Sequence, residues 1–116
     1  MQTSAWYNAV ITKDTNATTS AEVDLQGNYE FLTVIIPTLS NAATTTVHIS
    51  DASGGTWFPM YMFDTAAVGD FAQLTDDADT TKAITYRIGG AQYIKVVVDG
   101  DQTANTTFKI RGFNRI

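Results

Sequence analysis

The stretch "AITYRIGGAQYIKVVVD", Ala83–Asp99, decides the fold class because apolar and polar residues alternate along two runs within it. A period of two places successive side chains on opposite faces of a β-strand. The apolar positions are Ile84, Tyr86, Ile88, Ile94, Val96 and Val98, and Thr85, Arg87, Lys95 and Asp99 stand against them. Each run therefore predicts a half-buried strand with one face toward a core and one toward solvent.

The same alternation recurs in "AEVDLQ" (21–26), "TTVHIS" (45–50) and "TFKIR" (107–111), whereas "EFLTVIIP" (30–37) is apolar on both faces, as in a central strand. Turn clusters separate these runs at intervals of about ten residues, a spacing typical of sandwiches and barrels. We predict a single domain over residues 1–116, an all-β antiparallel sandwich of jelly-roll type with about eight strands. Its predicted core is Val23, Leu25, Leu32, Val34, Val47, Ile49, Ile84, Tyr86, Ile94, Val96, Val98, Phe108 and Ile110.

Composition restricts the function classes. The chain has no cysteine, which excludes disulfides, thiolate metal sites and a cysteine nucleophile. A net charge of −5 argues against a nucleic-acid partner, since phosphate binding depends on lysine and arginine. Apolar runs are too short for a membrane span, and the amino terminus has no leader-like pattern, so we expect synthesis in a cytoplasm and no membrane partner.

No catalytic constellation is recognisable. His48 is the only histidine, and its place on an alternating strand predicts an exposed or interface residue. The acidic loop Asp76–Asp79 has two interpretations, a calcium-binding loop or, as we favour, a plain turn in which aspartate caps backbone amides. We therefore expect no catalytic residue, no metal and no cofactor.

The stretch "TWFPMYMF" (56–63) is apolar on both faces, although a sandwich core can cover only one of them. Trp57, Pro59, Tyr61 and Phe63 share one parity, while Phe58, Met60 and Met62 share the other. Three things could pack against the second face: a loop of the same chain, a partner subunit or a stacked sugar.

The C-terminal stretch "KIRGFNRI" (109–116) carries three cations. Gly112 interrupts the alternation, so a bulge there would turn Phe113 inward and leave Lys109, Arg111 and Arg115 on one exposed edge. Such an edge would suit an acidic partner surface.

The order "SAEVDLQGNYEFLTVIIPTL", "TTVHISDASGGTWFPMY", "GAQYIKVVVDG" and "TTFKIRGF" resembles the small jelly-roll proteins of tailed-bacteriophage virions, which decorate the capsid or serve as related structural components. The resemblance covers residues 20–111 and implies a non-enzymatic decoration protein on the capsid surface, made in the bacterial cytoplasm, with the major capsid protein as partner. It also implies homo-oligomers, commonly trimers. On this basis Phe58, Met60 and Met62 are expected inward, and Trp57, Pro59, Tyr61 and Phe63 at a subunit interface.

The hairpin "ISDASGGTW" and the later "AQYIKVVV" are also similar to discoidin-type and other galactose-binding-like sandwich modules. That resemblance implies the same architecture with a different function, a glycan- or receptor-binding module of a phage tail or fibre. The lack of a cysteine pair and of a leader-like amino terminus favours the virion decoration hypothesis over this alternative.

Overall fold

The protein is all-β, with every strand pairing antiparallel. The computed structural model describes residues 2–41, 43–63, 71–73, 75–78 and 81–115, and within these ranges no residue is helical. The predicted fold class, an antiparallel β-sandwich, is confirmed. In these ranges there is accordingly no helix of the length and hydrophobicity that a membrane crossing needs.

The described residues form ten strands, of which the two longest have 14 and 17 residues. They are β1 (Gln2–Thr3), β2 (Tyr7–Ile11), β3 (Val23–Ile36), β4 (Ala43–Ser50), β5 (Phe58–Pro59), β6 (Tyr61–Phe63), β7 (Phe71–Gln73), β8 (Thr75–Ala78), β9 (Lys82–Val98) and β10 (Thr106–Asn114). Eight of these form one sheet in the order β1-β10-β3-β9-β4-β5, with β2 also on β10 and β8 also on β4, while β6 and β7 pair separately.

Neighbours in this sheet are not neighbours in the chain. Strand β9 lies between β3 and β4, and β3 lies between β9 and β10. These interlocked crossovers are of the Greek-key kind that jelly rolls use. They bring the C-terminal strand β10 beside the first half of the chain, so residues far apart in sequence share one face.

A bend in β3 changes which parity of residues is buried. Val23 and Leu25 are buried before the bend, and Leu32 and Val34 are buried after it. Between them Gln26 has a φ of 62°, and the pairing with β9 shifts register between Asp24 and Phe31. The Asp24 side chain stabilises this backbone by accepting a hydrogen bond from the amide of Gln26 at 2.8 Å.

Strand β9 bends opposite this point. Gly89 and Gly90 have φ of 62° and 87°, a conformation that favours glycine, and the adjacent Ala91 pairs with Tyr29 of β3. The two bends divide the sheet into two halves. One contains β4 with the C-terminal part of β9, and the other contains β10 with the N-terminal part of β9.

The core matches the alternating pattern at most positions. Eleven of the thirteen predicted core residues are buried, and Ile49 and Ile84 are half-buried against the same cluster. Six further buried residues were not in the predicted set: Ala9, Ile11, Ile36, Leu39, Ala43 and Ile88. Ala9 and Ile11 belong to β2, whose short alternating segment "YNAVI" pairs with β10.

Candidate functional site

The outward face of β10, β3 and β9 carries several cations and aromatic rings in contact. Register places Phe113 opposite Phe31 and Phe31 opposite Arg87, in a row that crosses three strands. Arg111 and Lys109 occupy the next two outward positions of β10, opposite Thr33 and Ile35. We call the surface formed by Trp6, Phe31, Arg87, Lys109, Arg111, Phe113 and Arg115 the arginine–aromatic face.

The centre of this face is a pair of stacked rings. Phe31 and Phe113 lie 5.1 Å apart between ring centroids with an interplanar angle of 18°. The guanidinium carbons of Arg87 and Arg115 lie 5.7 Å and 5.4 Å from the Phe31 centroid. At these distances the ring quadrupole attracts a cation, so each guanidinium is positioned over the ring.

Arg111 is held at the edge of the face by the N-terminal segment. It donates hydrogen bonds from Nε to the Ser4 carbonyl oxygen and from Nη2 to Thr3 Oγ1, each at 2.9 Å. Its guanidinium carbon also lies 5.5 Å from the Trp6 ring, and Trp6 is 46% exposed. A fixed guanidinium beside an exposed indole forms a preorganised contact surface, because little side-chain entropy remains to be lost on binding.

The charge of the arginine–aromatic face is positive although the whole chain is acidic. Arg115 forms an ion pair with Glu30 at 2.9 Å, with both side chains largely accessible to solvent. Arg87 and Lys109 have no hydrogen bond or ion pair to another residue that the structure describes. The face therefore contains four cations, and one carboxylate, Glu30, is already paired with Arg115. The donors of Arg87 and Lys109 are free to bind a partner from solvent.

The three cations predicted at the C-terminus do lie close together. Lys109 and Arg111 share the outward side of β10, and Arg115 lies just beyond the end of that strand. The sequence prediction missed Phe31, Arg87 and Trp6, because nothing in the local pattern indicates that β3 and β9 lie beside β10. Contact of these cations with a capsid stays a prediction.

The predicted bulge at Gly112 is wrong. Pairing of β10 with β3 continues without a shift from Lys109 opposite Ile35 to Phe113 opposite Phe31, so Phe113 remains on the outward face. Gly112 keeps the inward position, where a Cβ would lie 2.7 Å from the Tyr29 ring. The ring of Tyr29 fills the space that a side chain at residue 112 would need.

The side chains of the aromatic stretch 57–63 are described from Trp57 to Tyr61. Trp57 is half-buried, with Lys95 Nζ 4.7 Å from its ring, and Pro59 pairs with His48 on the same outer side. Tyr61 is 47% exposed, and the side chain of Phe63 lies outside the described residues. The predicted subunit interface of Trp57, Pro59, Tyr61 and Phe63 stays a prediction.

Phe58 corrects one expectation about this stretch. It was expected to be buried inside, yet its side chain is 53% exposed. It pairs with Ile49, which pairs in turn with the buried Ile94, so it does lie on the core side of the sheet. Gly89 and Gly90 line the same open cavity as this ring.

The predicted turn at Asp76–Asp79 is wrong for its first three residues, because these belong to strand β8 (Thr75–Ala78). Asp76 and Asp77 belong to β8 and pair with Thr45 and Thr44 of β4, but their side chains and all of Asp79 are not described. In the part of the chain that the structure does describe, no group of three or more histidine or acidic side chains lies in metal-binding proximity.

His48 lies on the outer side of β4, opposite Lys95 of β9. Partial burial, followed in importance by the positive charge of Lys95, lowers the pKa of His48 below its usual value. The protonated imidazole is disfavoured because it loses solvation and meets a like charge. His48 is thus a neutral side chain packed beside a cation at neutral pH.

Stability should therefore decrease in mild acid. Because the folded pKa is lowered, the contribution of His48 is fully present above its unfolded pKa of about 6.5 and is lost as the pH falls through the folded value. We expect the melting temperature to fall below about pH 6.5, and His48→Gln to remove this part of the pH dependence. The pKa of Glu22 is also lowered, chiefly by hydrogen bonds from Gly54 and Ser53. The stability that Glu22 contributes is lost at a lower pH than that of His48. An identical pH profile for His48→Gln and the parent protein would contradict the assignment.

Comparisons with known proteins identify no family. No protein-family model matches the chain, and no curated protein matches it. Among solved structures, the chain is similar to part of CpGH89 from Clostridium perfringens, solved in complex with its substrate GlcNAc-α-1,4-galactose. The identity is 14% and the TM-score 0.47, over 95% of this chain and 14% of that one.

Proposed function

We propose that this protein is a non-enzymatic structural component of a tailed-phage virion, a decoration protein that binds the assembled capsid shell through its arginine–aromatic face. The observation that carries the proposal is this face itself, in which Arg87, Arg111 and Arg115 each lie over an aromatic ring. Arginine and aromatic residues are the types most enriched in protein interfaces and in their energetic hot spots.

Charge supports an acidic partner surface. The chain has a net charge of −5, so the positive face is a local exception on an acidic molecule. An acidic shell surface would attract this face and repel the remainder, which favours one orientation during encounter. The major capsid protein, exposing carboxylates around the binding position, is the partner that this arrangement fits.

Binding of this kind stabilises a shell by mass action. A protein that binds the assembled shell and not its separate subunits lowers the free energy of the assembled state by an amount set by its affinity and concentration. No chemical step is required, and the arginine donors, held by ring contacts and backbone hydrogen bonds, need little rearrangement on binding.

Contact between copies of the chain belongs to the same proposal. A homotrimer through Trp57, Pro59, Tyr61 and Phe63 would place the exposed Tyr61 in an interface and leave the arginine–aromatic face free, since the two surfaces share no residue. Light scattering of the purified protein distinguishes a trimer from a monomer.

The number of copies in purified particles tests the proposed function. Decoration of a symmetric shell predicts on the order of hundreds of copies per particle, because every equivalent position offers the same surface. Quantitative mass spectrometry against the major capsid protein provides the count. A handful of copies would assign the chain to a neck, tail or fibre, and absence from particles would contradict a virion role.

A further inference from the structure

A cavity opens at the bend of β9, on the inner side of the sheet beside β5. Its volume is about 360 Å³, and the lining includes Asn28, Asp51, Phe58, Gly89, Gly90 and Gln92. It shares no residue with the arginine–aromatic face. This volume lies near the lower end of the range of about 300–1,000 Å³ that is usual for small-molecule sites, so a small ligand would fit.

One wall of the cavity is the ring of Phe58, which is exposed to solvent. Phe58 is 53% exposed although it lies on the core side of the sheet. The bend contributes backbone without side chains, and a Cβ added at Gly90 would meet no atom within 4 Å. A Cβ added at Gly89 would meet only Met60 Cε, at 3.5 Å, so the bend leaves open space on this side of the cavity.

The polar groups of the lining, which also includes Ser50 and Tyr93, can both accept and donate hydrogen bonds. Asn28 donates from Nδ2 to the Gly90 carbonyl oxygen and Gln92 donates from Nε2 to Asp24 Oδ1, each at 2.9 Å, which leaves both amide oxygens available. The Asp51 carboxylate has no hydrogen bond or ion pair to another described residue. No lysine or arginine lines the cavity. A neutral ligand with several hydroxyl groups, each of which donates and accepts hydrogen bonds, matches this lining.

We propose that this cavity binds a neutral saccharide of one or two units, with its apolar C–H face against Phe58. Sugar hydroxyl groups supply the donors that the amide oxygens of Asn28 and Gln92 and the carboxylate of Asp51 accept. One aromatic surface combined with a few polar groups that fix orientation is the usual composition of a small-ligand site. This binding is independent of attachment to a shell.

The test is a titration of the ¹⁵N-labelled full chain followed by NMR. Glucose, galactose, mannose and N-acetylglucosamine are added separately, and the backbone amides of Gly89 and Gly90 and the side-chain amides of Asn28 and Gln92 are monitored. At least one sugar is expected to shift these signals saturably. Phe58→Ala should weaken that binding by about tenfold or more, the factor that corresponds to losing one aromatic contact.

Two further variants make the result specific. Trp6→Ala removes a similarly exposed aromatic side chain outside the cavity and should leave sugar binding unchanged. Asp51→Ala, at an exposed position without a described partner, should weaken binding even if Phe58→Ala disturbs the local fold.

Three outcomes would overturn the proposal. The first is that none of the four sugars shifts the cavity signals, and the second is that Phe58→Ala and Asp51→Ala both bind as tightly as the parent chain. The third is that tetramethylammonium shifts these signals while the sugars do not, because the cavity would then select a cation through Asp51 and the aromatic ring.

Discussion

Replacing Phe108 with alanine is expected to lower the free energy of unfolding by about 3–5 kcal/mol. Phe108 is 0% exposed and is among the largest fully buried side chains. It lies on β10, which pairs with both β2 and β3. Removing its ring therefore leaves a cavity where these two strand pairings meet. A domain of this size is stable by only about 5–15 kcal/mol, so the variant should lose a large part of its stability.

Urea denaturation measures this effect as a lower midpoint with an unchanged slope. Val96→Ala, also at a fully buried position, removes less volume and should cost about 1–3 kcal/mol. The matched control is Thr107→Ala, at the neighbouring exposed position of β10, which should change stability by no more than about 0.5 kcal/mol. Equal midpoints for Phe108→Ala and Thr107→Ala would mean that the inner face of β10 is not in the core.

The second large effect concerns shell binding. Arg87→Glu combined with Lys109→Glu reverses two cations of the arginine–aromatic face that have no described acidic partner, so folding should be little affected. A charge that becomes buried and hydrogen-bonded in an interface costs about 2–5 kcal/mol of binding when its partner is lost, and reversal adds repulsion from an acidic shell. We expect attachment to particles that lack the protein to fall below detection in a co-sedimentation measurement. A dispersed NMR spectrum of the variant would show that the fold is intact.

The alternating segments carried enough information to predict the sandwich and most of its core. In β4, β10 and the C-terminal part of β9, one face is mostly buried, so a period of two assigns Val47, Val96 and Phe108 correctly. The pattern fails where the backbone bends. At Gln26 the positive φ changes the buried parity of β3, and no simple period in the sequence marks that position.

The candidate site was only partly predictable, because it depends on strand order. The cations at 109, 111 and 115 are visible in the sequence, but their contacts with Phe31, Arg87 and Trp6 require β3 to lie between β9 and β10. The glycine at 112 interrupts the apolar alternation, which predicts Phe113 inward, whereas the structure has it outward, opposite Phe31. Its actual position follows from Tyr29, whose ring fills the space beside Gly112 and makes a bulge unnecessary.

The exposure of Phe58 shows a similar limit to what a sequence pattern can predict. Parity places this residue on the core side, and the structure agrees, but burial also requires something on the opposite side. Phe58 lines an open cavity together with Gly89 and Gly90, which lie about thirty residues later in the chain. A local pattern predicts which way a side chain points, whereas the tertiary fold determines whether anything covers it.

Co-sedimentation with purified particles that lack the protein, carried out across a salt series, tests shell binding through the arginine–aromatic face most directly. The parent chain and the control Lys13→Glu, which reverses an exposed lysine outside that face, should both attach and should weaken as salt rises, since exposed charges are screened. Lys109→Glu should bind more weakly than Lys13→Glu at every salt concentration, although the two variants have the same net charge. Equal attachment of Lys109→Glu and Lys13→Glu, or attachment that does not change with salt, would contradict docking through this face.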